Sequence, residues 1–169
     1  PVEPIANIEE LASRFNPLKV SKSPARFDVT ELEGLNAKLL HDLTYADVAD
    51  RIEMPADVDG EAFWDAIKGN LETFPQVAEW IDLVENGAVP LIDEEDADVI
   101  KSAINLLPAE PWSEDTWKEW ANAVKAETGR KGRGLFMPLR KAATGRASGP
   151  EMTKLLPLIG RKTLLDQLA

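Results

Sequence analysis

The chain has 169 residues, 44% apolar and 29% charged, with no cysteine and one histidine. Disulfides and a Cys/His zinc site are thereby excluded, and no apolar run is long enough to span a membrane. The length allows one or two small domains that bury roughly 70% of their unfolded surface. No signal peptide is visible, so a soluble cytoplasmic protein is the default expectation, and a monomer is expected. The first residue, Pro1, reads as the start of a processed or cloned piece of something longer. The net charge of −11 misleads as an average. Residues 125–169 hold ten Lys/Arg against three Asp/Glu, whereas residues 1–124 hold nine against twenty-seven. An acidic body with a basic end points to a polyanion partner at that end, against the alternative of chance clustering on a solvated surface.

Taken in order, residues 4–15 carry Ile5, Ile8, Ala12 and Phe15 on one stripe with Leu11 beside it, the pattern of a helix that Asn16-Pro17 ends. Asp28 or Thr30 caps a helix through about Leu40. Thr44 and Asp47 form a capping-box start for a short helix to Arg51 or Glu53. Residues 60–67 are predicted helical with Phe63, Trp64 and Ile67 inward, closed by Gly69-Asn70. Residues 74–84 give the cleanest stripe, Phe74, Val77, Ala78, Ile81 and Val84, with Trp80 alongside, stopped by Asn86-Gly87.

The acidic run Asp93 to Asp96 suits a helix start. Val99, Ile100, Ala103, Ile104 and Leu107 follow at helical spacing. Ser113 is predicted to cap a helix whose Trp117, Trp120, Ala121 and Val124 line one face as core. Residues 135–144 form a further predicted helix with Pro138 near its start. Leu135, Phe136, Leu139, Ala142 and Ala143 are expected inward, and Arg140 and Lys141 outward. Pro150 opens a helix carrying Leu155, Leu156 and Leu158, and Gly160 separates it from a last one with Leu164, Leu165 and Leu168 inward. No alternating strand pattern and no internal repeat occurs. The expected fold is all-α, with a break from Asn86 to Pro90 between two subdomains.

No catalytic constellation is present. His41 is expected at a helix end without a chemical role, and the adjacent acids Asp93, Glu94 and Glu95 read as a solvated helix start rather than a metal site. The informative stretch is 129–152, GRKGRGLFMPLRKAATGRASGPEM. Arg130, Lys131, Arg133, Arg140, Lys141 and Arg146 fall within seventeen residues. A basic, glycine-flanked helix is a plausible cradle for an RNA backbone, with steep salt dependence of binding.

The run GLFMPLRKAATG, followed by GPEMTKLLPLIGRKTLLDQL, resembles the C-terminal end of bacterial glutamyl-tRNA synthetases. That family carries a PLR-x-A-x-TG element, a later proline, an isoleucine- or leucine-glycine-basic turn and a last helix. Pro138, Leu139, Arg140, Ala142, Thr144, Gly145, Pro150, Ile159, Gly160 and Arg161 match it. Phe27, Asp28, Leu32, Leu35 and Asn36 match an upstream landmark of the same family. Ser21-Lys22-Ser23 looks like the ATP loop of class I synthetases, but nothing before Lys19 supplies the nucleotide-binding sheet that loop follows.

The resemblance implies an anticodon-binding half shaped as a superhelical cage. Residues 1–27 would be a stem-contact or connecting segment, 28–90 a first helical subdomain and 91–169 a second with the basic end. It implies a parent ligase that attaches glutamate to tRNA, with ATP and Mg used in a catalytic half outside this piece, which itself needs no cofactor. The partner would be glutamate tRNA, with glutamine tRNA also considered, and neither DNA nor membrane. Arg140 falls on the family's arginine that contacts an anticodon base, and Gly149 and Met152 fall on two further contact positions. Arg130, Lys131 and Arg133 would contact phosphates, with Lys141 and Arg146 in the same basic stretch. Asn70 stands where members restricted to glutamate tRNA carry an arginine, and no arginine occurs between Ile52 and Gly129. The alternative from a different class is a free-standing acidic helical protein-interaction module without tRNA binding; a third is a degenerate synthetase-like regulator.

Overall fold

The computed structural model describes residues 3–5, 7–21, 23 and 28–169. Phe27 of the upstream landmark and Lys22 of the Ser-Lys-Ser turn lie outside the described residues. Nine α-helices and no strand occur among the described residues. The first is α1 (Ile8–Arg14), whose Asn7 side chain accepts from the Glu9 N–H at 2.7 Å. It buries nothing: Ile8 and Phe15 are 80% and 66% exposed. The apolar stripe that marks this helix in the sequence therefore faces away from the core.

From α2 onward the chain condenses. Asp28 caps α2 (Val29–Asp42) through the Thr30 N–H at 2.9 Å. Its last turns are laced to the segment after α3 (Gly60–Ile67). Asn36 donates to the Glu72 carbonyl at 2.7 Å, and His41 Nε2 donates to the Leu71 carbonyl at 2.9 Å. His41 is thus a structural tie at a helix end. The Thr44–Asp47 capping box forms, with Asp47 Oδ2 accepting from the Thr44 N–H at 2.8 Å and also from its hydroxyl at 2.6 Å, but two 3-10 turns follow instead of one helix. Fully buried Val48 sits at φ −127° between them, outside helical geometry, because its side chain is drawn into the core.

Helix α4 (Val77–Asn86) turns differently from its expected stripe. It buries Val77, Trp80, Leu83 and Val84, leaving Ala78 exposed and Phe74 and Ile81 half-buried. The Trp80 ring removes far more apolar area from water than Ala78 could, so the helix rotates toward it. After α5 (Ala97–Asn105), Thr116 Oγ1 accepts from the Ser113 N–H at 2.8 Å. Ser113 Oγ in turn accepts from the Asp115 N–H at 3.3 Å, so Ser113 holds the entry as expected, although α6 (Thr116–Thr128) itself begins after Asp115. Trp120 is fully buried and donates to the Ala103 carbonyl at 2.8 Å, fixing α6 on α5.

Helix α7 (Arg133–Thr144) begins two residues before the expected Leu135. Pro138 lacks the N–H that would satisfy the Gly134 carbonyl, and Arg130 Nη1 reaches that oxygen at 3.5 Å. α8 (Met152–Ile159) starts after Glu151, so buried Pro150 precedes the helix instead of opening it. α8 packs against α3, α4 and α6, with Leu155 and Leu156 fully buried. Helices from either side of residue 90 therefore share one apolar core. α9 (Arg161–Leu168) closes it. Gln167 accepts from the Ala88 N–H at 2.9 Å and donates to the Ala142 and Ala143 carbonyls at 2.8 and 3.0 Å.

Burial separates two kinds of apolar residue. Phe15→Ala should change unfolding free energy by less than about 0.5 kcal/mol, as expected for an exposed site. Leu139→Ala, at 0% exposure, should cost about 2–5 kcal/mol. Urea titration of both variants by circular dichroism checks the contrast.

Candidate nucleic-acid interface

The basic end does not stand free. Arg130 Nη1 binds Asp96 Oδ1 at 3.0 Å and Nη2 donates to the Glu95 carbonyl at 3.0 Å. Asp96 is only 6% exposed, so Arg130 neutralises a buried carboxylate at the start of α5. Lys141 reaches Asp93 at 2.6 Å, Arg146 reaches Glu79 at 2.8 Å and Lys154 reaches Asp65 at 2.7 Å. The hydrogen bond from Lys154, and then its charge, hold the Asp65 pKa below the ordinary carboxylate value; the same contact raises that of Lys154. Lys141 is therefore not outward-facing as expected, and Asp93 is not simply solvated. Lys131 and Arg133 are exposed and carry no ion pair among the described residues.

Burial on α7 decides what remains for a ligand. Leu135, Pro138, Leu139, Ala142, Ala143 and Thr144 are buried. Arg133, Phe136 and Arg140, spaced at i, i+3 and i+7, share another face. Phe136, expected in the core, is 47% exposed. Its signal was in the spacing: the i, i+3, i+4 series from Leu135 closes without it. Trp117 is half-buried, not core like Trp120, with its ring 6.3 Å from that of Phe136 and tilted 38°.

Trp117, Phe136, Arg140, Glu151, Met152 and Thr153 line an open cleft of about 300 Å³. Two of the three expected base-contact residues, Arg140 and Met152, meet there, with Met152 buried as floor. Arg140 is half-buried and donates to the Pro150 carbonyl at 2.9 Å, an engagement its expected outward position did not include. Burial pushes its pKa below the ordinary guanidinium value. A guanidinium already stripped of part of its water costs less to dehydrate further when a ligand arrives. Gly149 stands just behind, and a Cβ there would lie 3.8 Å from Arg140 Nη1. The cleft offers aromatic faces, donors from Arg140 and one carboxylate. That set suits a flat heteroaromatic ring with N–H and carbonyl groups, and Glu151 disfavours a phosphate.

Asn70 lies apart, exposed at the end of a 3-10 turn that follows α3. Arg51, just outside the arginine-free window, stacks on Phe74 with its guanidinium carbon 3.8 Å from the ring centroid. Neither Arg51 nor the aromatic wall was picked out from the sequence. No cluster of three metal-ligating side chains occurs among the described residues, and no helix there is long and apolar enough to cross a membrane.

Among the described residues the chain is all-helical, with an open cleft beside α7. The sequence profile of the anticodon binding domain matches residues 10–169, and the chain belongs to that family. Curated relatives include glutamate–tRNA ligase 2 of Gluconobacter oxydans, 43% identical over 97% of this chain and 36% of that protein. Glutamate–tRNA ligase 1 of Maricaulis maris is 45% identical over 100% and 38%. The chain thus spans little more than a third of the length of these relatives. Among solved structures, glutamate-tRNA synthetase from Elizabethkingia anophelis superposes with a TM-score of 0.70 at 17% identity, over 97% of this chain and 35% of that one. That likeness extends to the fold.

The buried acid separates Arg130 from its neighbours. Arg130→Ala should destabilise the chain by about 2–4 kcal/mol by leaving Asp96 uncompensated. Lys131→Ala and Arg133→Ala should each stay within about 0.5 kcal/mol. Thermal and urea unfolding of the three variants test this.

Proposed function

We propose that the chain reads the anticodon of a tRNA as part of a glutamate–tRNA ligase. The observation that carries this reading is the Trp117–Phe136–Arg140 cleft on an anticodon-binding fold. An unstacked base lies against the Phe136 and Trp117 rings and accepts hydrogen bonds from Arg140, while Glu151 can accept from a base N–H. Lys131 and Arg133 contact phosphates, which position the loop without specifying sequence. Arg130, Lys141 and Arg146 are spent on carboxylates and support the site from behind. Gly149 shapes the loop that holds Arg140, and Met152 forms the floor. The parent ligase would activate glutamate with ATP and Mg in its catalytic half, in the cytoplasm, and act as a monomer.

Division of labour gives the test. Phe136→Ala and Arg140→Ala should each weaken binding of a glutamate anticodon stem-loop by about 1–3 kcal/mol, with the loss depending on the anticodon bases. Lys131→Ala should weaken binding of all stem-loops alike and flatten the plot of log affinity against log salt by about one unit. Fluorescence titrations at several salt concentrations distinguish the two; identical profiles would refute the assignment.

Asn70 bears on which tRNAs are charged. An amide in place of a guanidinium removes the bidentate donor that rewards one base over another. The parent ligase is therefore expected to glutamylate glutamine tRNA as well as glutamate tRNA. Charging assays on both purified tRNAs decide it. A preference for glutamate tRNA above about a thousandfold, roughly 4 kcal/mol, contradicts the relaxed reading.

A further inference from the structure

The loop 145–151 forms the back of the Arg140 cleft, and it is fastened to a helix remote in sequence. The Arg146 guanidinium carbon lies 4.7 Å from the centroid of the Trp80 ring, and its Nη2 binds Glu79 Oε2 at 2.8 Å. Gly149 abuts the same ring: a Cβ on it would meet Trp80 Cη2 at 2.9 Å. Its φ of +142° also disfavours any other residue. One residue later the Pro150 carbonyl accepts from Arg140 Nη1 at 2.9 Å. At the other end of the loop, Thr144 Oγ1 donates to the Arg140 carbonyl at 2.8 Å and accepts from the Arg146 N–H at 3.2 Å. A continuous path thus runs from α4 through the loop to the guanidinium in the cleft.

We propose that Glu79 and Trp80 are positioning residues for the Arg140 cleft, holding the 145–151 loop so that the Pro150 carbonyl fixes the guanidinium. This rests on the reading of the cleft as an RNA-base site. Trp80 is only 5% exposed and its ring is covered by Arg146 and Gly149, so it has no face left for RNA. Glu79 is half exposed and anionic. A surface carboxylate near a polyanion site weakens binding by repulsion, so removing it should tighten binding if it does nothing else. A positioning role gives the opposite sign.

The experiment uses the whole chain, an anticodon stem-loop of glutamate tRNA, and the variants Glu79→Gln, Arg140→Ala and their double. Glu79→Gln should weaken binding about fivefold with the salt slope unchanged, and the loss should vanish when Arg140 is already alanine. Trp80→Phe, which keeps a ring under Arg146, should stay within about twofold of the parent, whereas Trp80→Leu should lose binding as Glu79→Gln does. If Trp80→Leu fails to fold, the Glu79→Gln cycle decides alone, because that side chain is exposed. Equal or tighter binding by Glu79→Gln, or a full additional loss in the double variant, overturns the positioning role. If Arg140→Ala itself leaves binding unchanged, the base-site reading falls first and the inference with it, an outcome distinct from the other two.

Discussion

Burial of one face of α7 is the constraint on which the site depends. Leu135, Leu139, Ala142 and Ala143 are all at or below 1% exposure, on a helix packed against α5 and α6. A helix has one direction for its core face, so fixing that face fixes the others. Phe136 and Arg140 are displaced to the side where Trp117 stands. The apolar core thus produces the cleft as a by-product of its own packing, with no loop needed to present the aromatic wall.

Charge works across the fold in a second way. Four carboxylates of the acidic body hold the basic end down. Asp65, Glu79, Asp93 and Asp96 take Lys154, Arg146, Lys141 and Arg130. The exposed pairs contribute little stability each. Their larger effect is geometric, because each joins residues at least 34 positions apart. The Asp96 pair differs in kind: its carboxylate is buried, so losing the arginine costs more than the bond alone.

The helices were legible because their periodicity and stop signals are local. Asp28 and Asn86-Gly87 act within a few residues of themselves, and the structure places them as expected; the Thr44–Asp47 box also forms, though the helix expected after it does not. Residues 60–67 are helical to the residue. What escaped was anything decided by tertiary competition. The rotation of α4 toward Trp80 and the break at Val48 each depend on which side chain finds room in the core. The site was half legible. The Pro-Leu-Arg element marked Arg140, but spacing alone could not show that Trp117 comes from another helix to face it. Nor could it show that Arg130 and Lys141 had carboxylates waiting.

Pairing also changes what electrostatics can contribute to binding. Of the ten Lys/Arg in residues 125–169, Arg130, Lys141, Arg146, Lys154 and Lys162 hold carboxylates, and Arg140 and Arg161 hold carbonyls. Lys125, Lys131 and Arg133 remain without such partners among the described residues, clustered around the turn between α6 and α7. Each phosphate neutralised contributes about 0.7 to 0.9 to the salt slope. In the proposed RNA complex these three cations contribute roughly 2 to 3 to that slope, less than the bare charge count of the basic end implies. In the proposed complex affinity then comes mainly from the cleft, whose stacking and hydrogen bonding would be nearly salt-independent. A single such site binds modestly by itself and becomes tight when a second contact elsewhere on the same RNA raises its effective concentration. A basic end tied down by its own acidic body thus leaves few free cations for indiscriminate attraction to a polyanion, which agrees with the proposed reading of a base.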